Sequence, residues 1–185
     1  MAAELERIKS FLKDLDSKLN FKAPVLLYLI GGGAITLAYD HQNRTADLDF
    51  IDPPEKLVNL GGQGTLLAQQ YGIYISNVFE INFSVPQDWK NHSKEISLGL
   101  ENLKIFIASV EDLVLGKLAR LEPKDFEDIF SLYDLKFLNS KKILSRLNEN
   151  SHELKNTEYR NNVKLFFSEV FKKKVIFKNG RASFN

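Results

Sequence analysis

Val25-Leu26-Leu27-Tyr28-Leu29-Ile30-Gly31-Gly32-Gly33-Ala34 and, about a dozen residues on, Ala46-Asp47-Leu48-Asp49-Phe50-Ile51 decide how this chain is read. The first is a continuous apolar run closed by glycine, which predicts a buried strand and a turn. Residues 34–39 then predict a short helix, and residues 40–45 a polar turn. The second stretch alternates, so it predicts a strand with Leu48 and Phe50 on one face and Asp47 and Asp49 on the other. Side chains two apart on a strand share a face at roughly 7 Å of rise. Two carboxylates so placed repel unless a cation sits between them. Mg²⁺ (or Mn²⁺) is the usual answer, bound by one or two carboxylates together with substrate phosphates. Glycines at a helix N-terminus offer unobstructed backbone N–H groups, which suits a triphosphate. Singly, an Asp-x-Asp is most often a polar strand edge and a glycine run a tight turn. In this order and spacing they point instead to one site for a metal and a nucleoside triphosphate.

Bulk composition sets the limits. The chain has 185 residues, a formal net charge of +1 and no cysteine. Disulfides, thiolate metal sites and a cysteine nucleophile are therefore excluded. With only His41, His92 and His152 a histidine-built zinc site is not expected. The length suits one compact domain, or a core with an appendage. The near-zero charge gives the whole molecule no preference for nucleic acid or membrane. The start is charged from Glu4 onward without an apolar segment behind it, and residues 25–30 are too short to span a bilayer. The expectation is a cytoplasmic protein with no membrane partner.

Outward from the central stretch, residues 5–19 place Leu5, Ile8, Leu12, Leu15 and Leu19 at helical spacing. Pro53-Pro54 ends the Asp strand, and a helical stretch of weak periodicity containing Gly61, Gly62 and Gly64 follows. Residues 71–75 and 78–85 predict strands, the second alternating Phe79, Ile81 and Phe83 against Glu80, Asn82 and Ser84. Residues 96–98 and 103–108 predict a hairpin-like pair. From Ser109 the pattern turns helical. Ser109 with Asp112 forms a capping box, and Pro123 fits the first turn of the next helix. Helical stretches at 141–147 and 159–171 lead to a basic end with Lys172-Lys173-Lys174, Lys178 and Arg181. That end reads as a solvated tail without a pattern, or as a contact for RNA or an acidic partner. The order predicts an α+β protein with a mixed β-sheet: a core over residues 1–108 with an N-terminal helix, then a C-terminal helical region over 109–185 that completes the site.

Gly31-Gly32-Gly33-Ala34 followed by Arg44-Thr45-Ala46-Asp47-Leu48-Asp49 resembles the Gly-Gly-x-Ala … Arg-x-Thr-x-Asp-hydrophobic-Asp signature of AbiEii-type nucleotidyltransferases. These are relatives of polymerase-β-like transferases, and many are toxins of toxin–antitoxin systems. A second part of the resemblance is a helical lysine followed by a basic-Asp pair and a further Asp, here Lys117, Arg120, Lys124-Asp125 and Asp128. The resemblance implies a polymerase-β-like core and transfer of an NMP from an NTP to an RNA (tRNA) or protein hydroxyl. It also implies a cognate antitoxin as partner. It gives Asp47 and Asp49 as metal ligands and catalytic carboxylates, with Gly31, Gly32, Gly33, Arg44 and Thr45 at the nucleotide. Lys117 contacts the triphosphate or base, Asp125 shapes the same pocket, and Arg120 and Asp128 rank lower.

The residues alone leave two readings for the second part. Lys117 lies on or beside a buried helical stripe, so burial costs it desolvation unless Asp125 or Asp128 receives it. A structural salt bridge and a functional group both satisfy that. Many relatives also use a third carboxylate on a neighbouring strand, for which alternation offers Glu80. Two alternatives to RNA or protein modification stand: a catalytically degenerate module that binds a nucleotide or partner, and a small-molecule (antibiotic) nucleotidyltransferase.

Overall fold

Leu5, Ile8, Phe11, Leu12 and Leu15 recur at helical spacing and form the buried side of α1, Ala3–Ser17. The computed structural model describes residues 3–43, 45–150 and 152–185. It divides into two units, Met1–Asn82 with His92–Ala108, and Phe83–Asn91 with Ser109–Asn185.

In the first unit β1 (Val25–Ile30) runs straight into α2 (Gly31–Ala38), so the three glycines form the first turn of the helix rather than a turn before it. β2 (Asp47–Ile51), α3 (Glu55–Gly61), α4 (Leu66–Tyr71) and β3 (Tyr74–Val78) follow, then β4 (Lys94–Ile96) and β5 (Leu103–Ile107). The sheet order is β3-β2-β1-β5-β4. β1 pairs antiparallel with β2 and parallel with β5, so the sheet is mixed. Leu27, Leu29, Leu48, Phe50 and Ile75 are buried on one face. Helices pack there closely enough that a Cβ at Gly61 would lie 3.2 Å from Phe11, 3.3 Å from Leu15 and 3.3 Å from Ile75.

Register assigns the other face. Ile30 opposes Asp49 and Tyr28 opposes Ile51, while Asp49 opposes Ser76 and Asp47 opposes Tyr74 on β3. Tyr28 also opposes Phe106, their rings 5.4 Å apart. Leu26, on that face, is 53 % exposed. The apolar run 25–30 is thus buried along one face, while the other is open at Leu26 and closes at Ile30.

Two strand expectations change. Tyr71 ends α4, and β3 is a single short strand. The alternating run after Val78 forms a 3₁₀ turn, Glu80–Asn82, with Phe79 and Ile81 exposed. Its last aromatic, Phe83, belongs to the second unit, where its ring fills the space left by Gly116: a Cβ there would sit 2.5 Å from Phe83 Cε2. Trp89 stacks edge-on against the same ring at 5.1 Å. Burial of two large aromatics outweighs a period-2 pattern.

The second unit contains α5 (Val110–Leu118), α6 (Pro123–Asp134), α7 (Ser140–Glu149), α8 (Thr157–Phe171) and a hairpin of β6 (Val175–Lys178) and β7 (Arg181–Phe184). Ser109 caps α5 by accepting the Asp112 N–H. Pro123 occupies the first turn of α6. Leu115, Leu118, Ile129, Leu147, Phe166 and Phe167 form part of its core. Buried beside them, Arg146 donates to Asp112 (2.8 Å), Asp88 (2.7 Å) and Glu149 (2.6 Å). Burial would lower the guanidinium pKa, but the bonds to Asp112, Glu149 and Asp88 raise it, so the group stays charged. The basic end is no tail. Asn179 and Gly180, both at positive φ (51° and 72°), turn it into a hairpin.

Candidate functional site

Backbone geometry brings the glycine turn against the Asp pair. Gly31 has φ +68°, and a Cβ there would lie 2.4 Å from Asp49 Oδ2. At Gly33 a Cβ would lie 2.7 Å from Leu48 Cδ2. A side chain at Gly31 would therefore push the Asp49 carboxylate aside, and one at Gly33 the Leu48 side chain. Ile30 gives α2 no side-chain cap, so the N–H groups of its first turn and the positive end of its dipole lie beside Asp49. A carboxylate at a cradle that only glycine leaves open suits a cation flanked by phosphate. Among the described residues no group of three or more His, Cys, Asp or Glu side chains could hold a metal. Asp47 and Asp49 offer two carboxylates, which Mg²⁺ accepts when phosphates complete its shell. The residues thus fit the ion.

Asp47 is held in place. Thr45 Oγ1 donates to its Oδ1 at 2.9 Å. Thr45 is itself clamped by α1: its N–H donates to Glu4 Oε1 at 3.2 Å, and its carbonyl accepts from Arg7 Nη2 at 3.1 Å. Arg7 and Glu4 also pair with each other. Thr36 Oγ1 ties α2 to the following loop by donating to the Gly32 and Asn43 carbonyls, and His41 Nδ1 donates to the Thr36 carbonyl at 2.8 Å. Arg44 lies outside the described residues. Glu80 stands on the 3₁₀ turn after β3, not on a strand. The direct cross-strand neighbours of Asp49 are Ile30 and Ser76, neither a carboxylate.

A second cluster lies within the second unit. Lys117, on α5, is 8 % exposed; Asp125 and Asp128, on α6, are 0 % and 2 % exposed. Lys117 Nζ meets both, Asp125 Oδ1 at 3.0 Å and Asp128 Oδ2 at 2.6 Å. Arg120 Nε adds a bond to Asp125 Oδ2 at 2.9 Å, and Lys124 approaches Asp128 at 3.4 Å. Asp125 Oδ2 also accepts the Glu122 N–H at the start of α6. Burial alone would raise the Asp125 pKa, but bonds from Arg120 and Lys117 and their charges hold it below its ordinary value.

A family model described as "Nucleotidyltransferase of unknown function (DUF6036)" matches residues 3–175, through both units. The chain belongs to that family. No curated protein and no solved structure gave a significant match. Nucleotidyltransferase membership agrees with an α+β fold built on a mixed five-stranded sheet. Among the described residues no helix is long and apolar enough to cross a membrane.

In this member of the family, sequence reasoning missed Glu4 and Arg7. An i,i+3 acid–base pair on an amphipathic helix signals only a surface ion pair, and nothing local shows that Thr45 receives it.

Two consequences are measurable. Gly31→Ala adds a Cβ at positive φ, costing about 1–2 kcal/mol in backbone conformation, and pushes on Asp49. Calorimetric nucleotide affinity in Mg²⁺ is expected to fall at least ~tenfold, a larger change than in thermal stability. Asp125 gives a pH effect. Its lowered pKa means that its stabilisation is complete above the unfolded value, near pH 3.9, and is lost as pH falls through the folded value. Denaturant midpoints of wild type and Asp125→Asn are expected to differ by a constant amount from pH 7 to about pH 4. The difference should shrink below that.

Proposed function

We propose that the chain is a metal-dependent nucleotidyltransferase that moves an NMP from an NTP to a hydroxyl of RNA (a tRNA end) or protein. The observation that carries this is the approach of the α2 N-terminus, at Gly31, to Asp49 on the strand that also carries Asp47. Asp47 and Asp49 would hold Mg²⁺ or Mn²⁺, and Thr45 fixes the Asp47 carboxylate by donating to its Oδ1. When bound, the ion neutralises charge on the phosphates and orients them. Backbone N–H groups of Gly31, Gly32 and Gly33 bind phosphate oxygens at the positive end of α2. The acceptor hydroxyl oxygen bonds to the α-phosphorus and releases its proton to water, the bond from phosphorus to the bridging oxygen breaks, and pyrophosphate leaves with that electron pair. Positioning and electrostatics supply the rate. Arg44, Lys117, Asp125, Arg120 and Asp128 enter the proposal by the AbiEii resemblance, as do the toxin role and a cognate antitoxin.

A second reading has its own support. Neither cross-strand neighbour of Asp49 is a carboxylate, so a nucleotide-binding module without turnover fits the same cradle. Incubating the protein with α-³²P-labelled NTPs and cell extract separates the readings. Label in RNA or protein supports the proposal, and label in the low-mass fraction supports small-molecule nucleotidylation. No label anywhere, with nucleotide bound, supports the module.

A further inference from the structure

Arg160, Lys164, Ser168 and Lys172 follow one another at steps of four along α8 and its C-cap, so they line one face with a rise of ~6 Å per step. Beside them the turn into β6 adds Lys173 and Lys174, and together these residues border a groove of about 890 Å³ floored by Val175, Ile176 and Phe177. Its five cations face no acidic lining residue. A smaller groove of about 440 Å³ shares Arg160 and adds Lys155 and Arg181, again without an acid. Lys172 approaches Glu169, but at 3.8 Å and with both side chains at least half exposed. In a chain whose net charge is +1, this concentrates positive charge on one side of the second unit.

The cations are also arranged. Arg160 and Lys164 lie over the Phe177 ring at 5.6 and 5.9 Å. Lys173 is fixed by its bond to Ser140 Oγ at 2.6 Å and lies 4.7 Å from the Phe184 ring centre. Ile176 is 38 % exposed. Regularly spaced cations beside aromatic and aliphatic surface suit a sugar-phosphate strand with unstacked bases, whose phosphates meet the cations while its bases meet the apolar floor. The Ser168 hydroxyl in the groove and the Asn179 amide in the adjoining one are neutral groups able to meet a 2′-hydroxyl.

We propose that the α8–β6 groove is a docking site for single-stranded RNA. The proposal does not depend on the chemistry at Asp47 and Asp49, because docking needs neither metal nor nucleotide. The test is fluorescence anisotropy of the full chain with a labelled single-stranded RNA of mixed sequence, in EDTA and without NTP, over a salt series. Binding is expected, with affinity falling as salt rises at a log–log slope of roughly −3 to −5, from ~0.7 per phosphate contact on single strands. The pair K164E/K174E is expected to weaken binding at least ~tenfold and to flatten the slope by ~1.4. The milder K164Q/K174Q pair, with circular dichroism to check folding, should act in the same direction. Lys13→Glu, at an exposed position on α1, should leave affinity within about twofold. Equal affinity for single-stranded DNA, for duplex RNA or for an acidic peptide would overturn the proposal. So would absence of binding at low salt, or groove variants that bind like Lys13→Glu.

Discussion

Asp49→Asn is expected to cut transfer of label from NTP to acceptor by about a hundredfold or more while leaving the fold intact. Asparagine has the shape of aspartate, so the close approach of Gly31 survives; the Cβ space that the carboxylate fills is the same. What disappears is one of two negative charges on the half-buried face of β2. A cation held by two carboxylates and substrate phosphates loses a ligand, and electrostatic stabilisation of the transferring group is commonly worth 10²–10³ in rate (about 2.7–4 kcal/mol). Stability should change by no more than about 1 kcal/mol, as for most partly exposed substitutions. A large loss of activity with a near-unchanged unfolding midpoint is the expected pairing. Equal loss of both would make Asp49 a structural residue.

Lys117→Met is expected to do the opposite, destabilising the second unit by ~3 kcal/mol, the lower end of the usual range for a broken buried ion pair. Lys117 Nζ sits between two carboxylates that are almost wholly buried, and removing it leaves their charges facing each other. Arg120 still bonds Asp125 and Lys124 still approaches Asp128, which keeps the cost below the upper end. Lys117→Met/Asp128→Leu should recover much of the loss, because a packed apolar pair replaces a buried ionic one at little cost. That double variant also tests the role the AbiEii resemblance gives Lys117. If it folds like wild type yet transfers no label, Lys117 or Asp128 acts in the chemistry; if it retains transfer, the pair only joins α5 to α6.

Local patterns in the sequence located α1, β1, β2, α5 and α6 because each carries its own signal. α1 has a helical stripe, β2 alternates, Ser109 caps α5, and Pro123 opens α6. The closeness of the Asp pair and the glycine run was legible for the same reason: both lie within about twenty residues of chain. What stayed illegible depends on distant parts of the chain. Phe79, Ile81 and Phe83 alternate as a strand would, but Phe83 finds Gly116 and Trp89 in the second unit. No window around residue 80 contains that information, so Glu80 was expected on a strand it does not occupy. The clamp from Glu4 and Arg7 on Thr45 spans about forty residues of chain. Lys117 with Asp125 and Asp128 was readable as a pairing, since both helices adjoin in sequence, though not that the lysine meets both carboxylates. The terminal hairpin is a different case. Asn179-Gly180 between Val175-Ile176-Phe177 and Ala182-Ser183-Phe184 is a strong local turn signal, obscured because the lysine run before it suggested a solvated end.

Isothermal titration of the chain with ATP, CTP, GTP and UTP, with and without Mg²⁺, tests the Asp47/Asp49 site most directly. At least one nucleotide is expected to bind in Mg²⁺ and to bind far more weakly in EDTA, and Asp47→Asn/Asp49→Asn should abolish the metal-dependent part. Nucleotide affinity that is indifferent to Mg²⁺ and unchanged in the double variant would contradict the account.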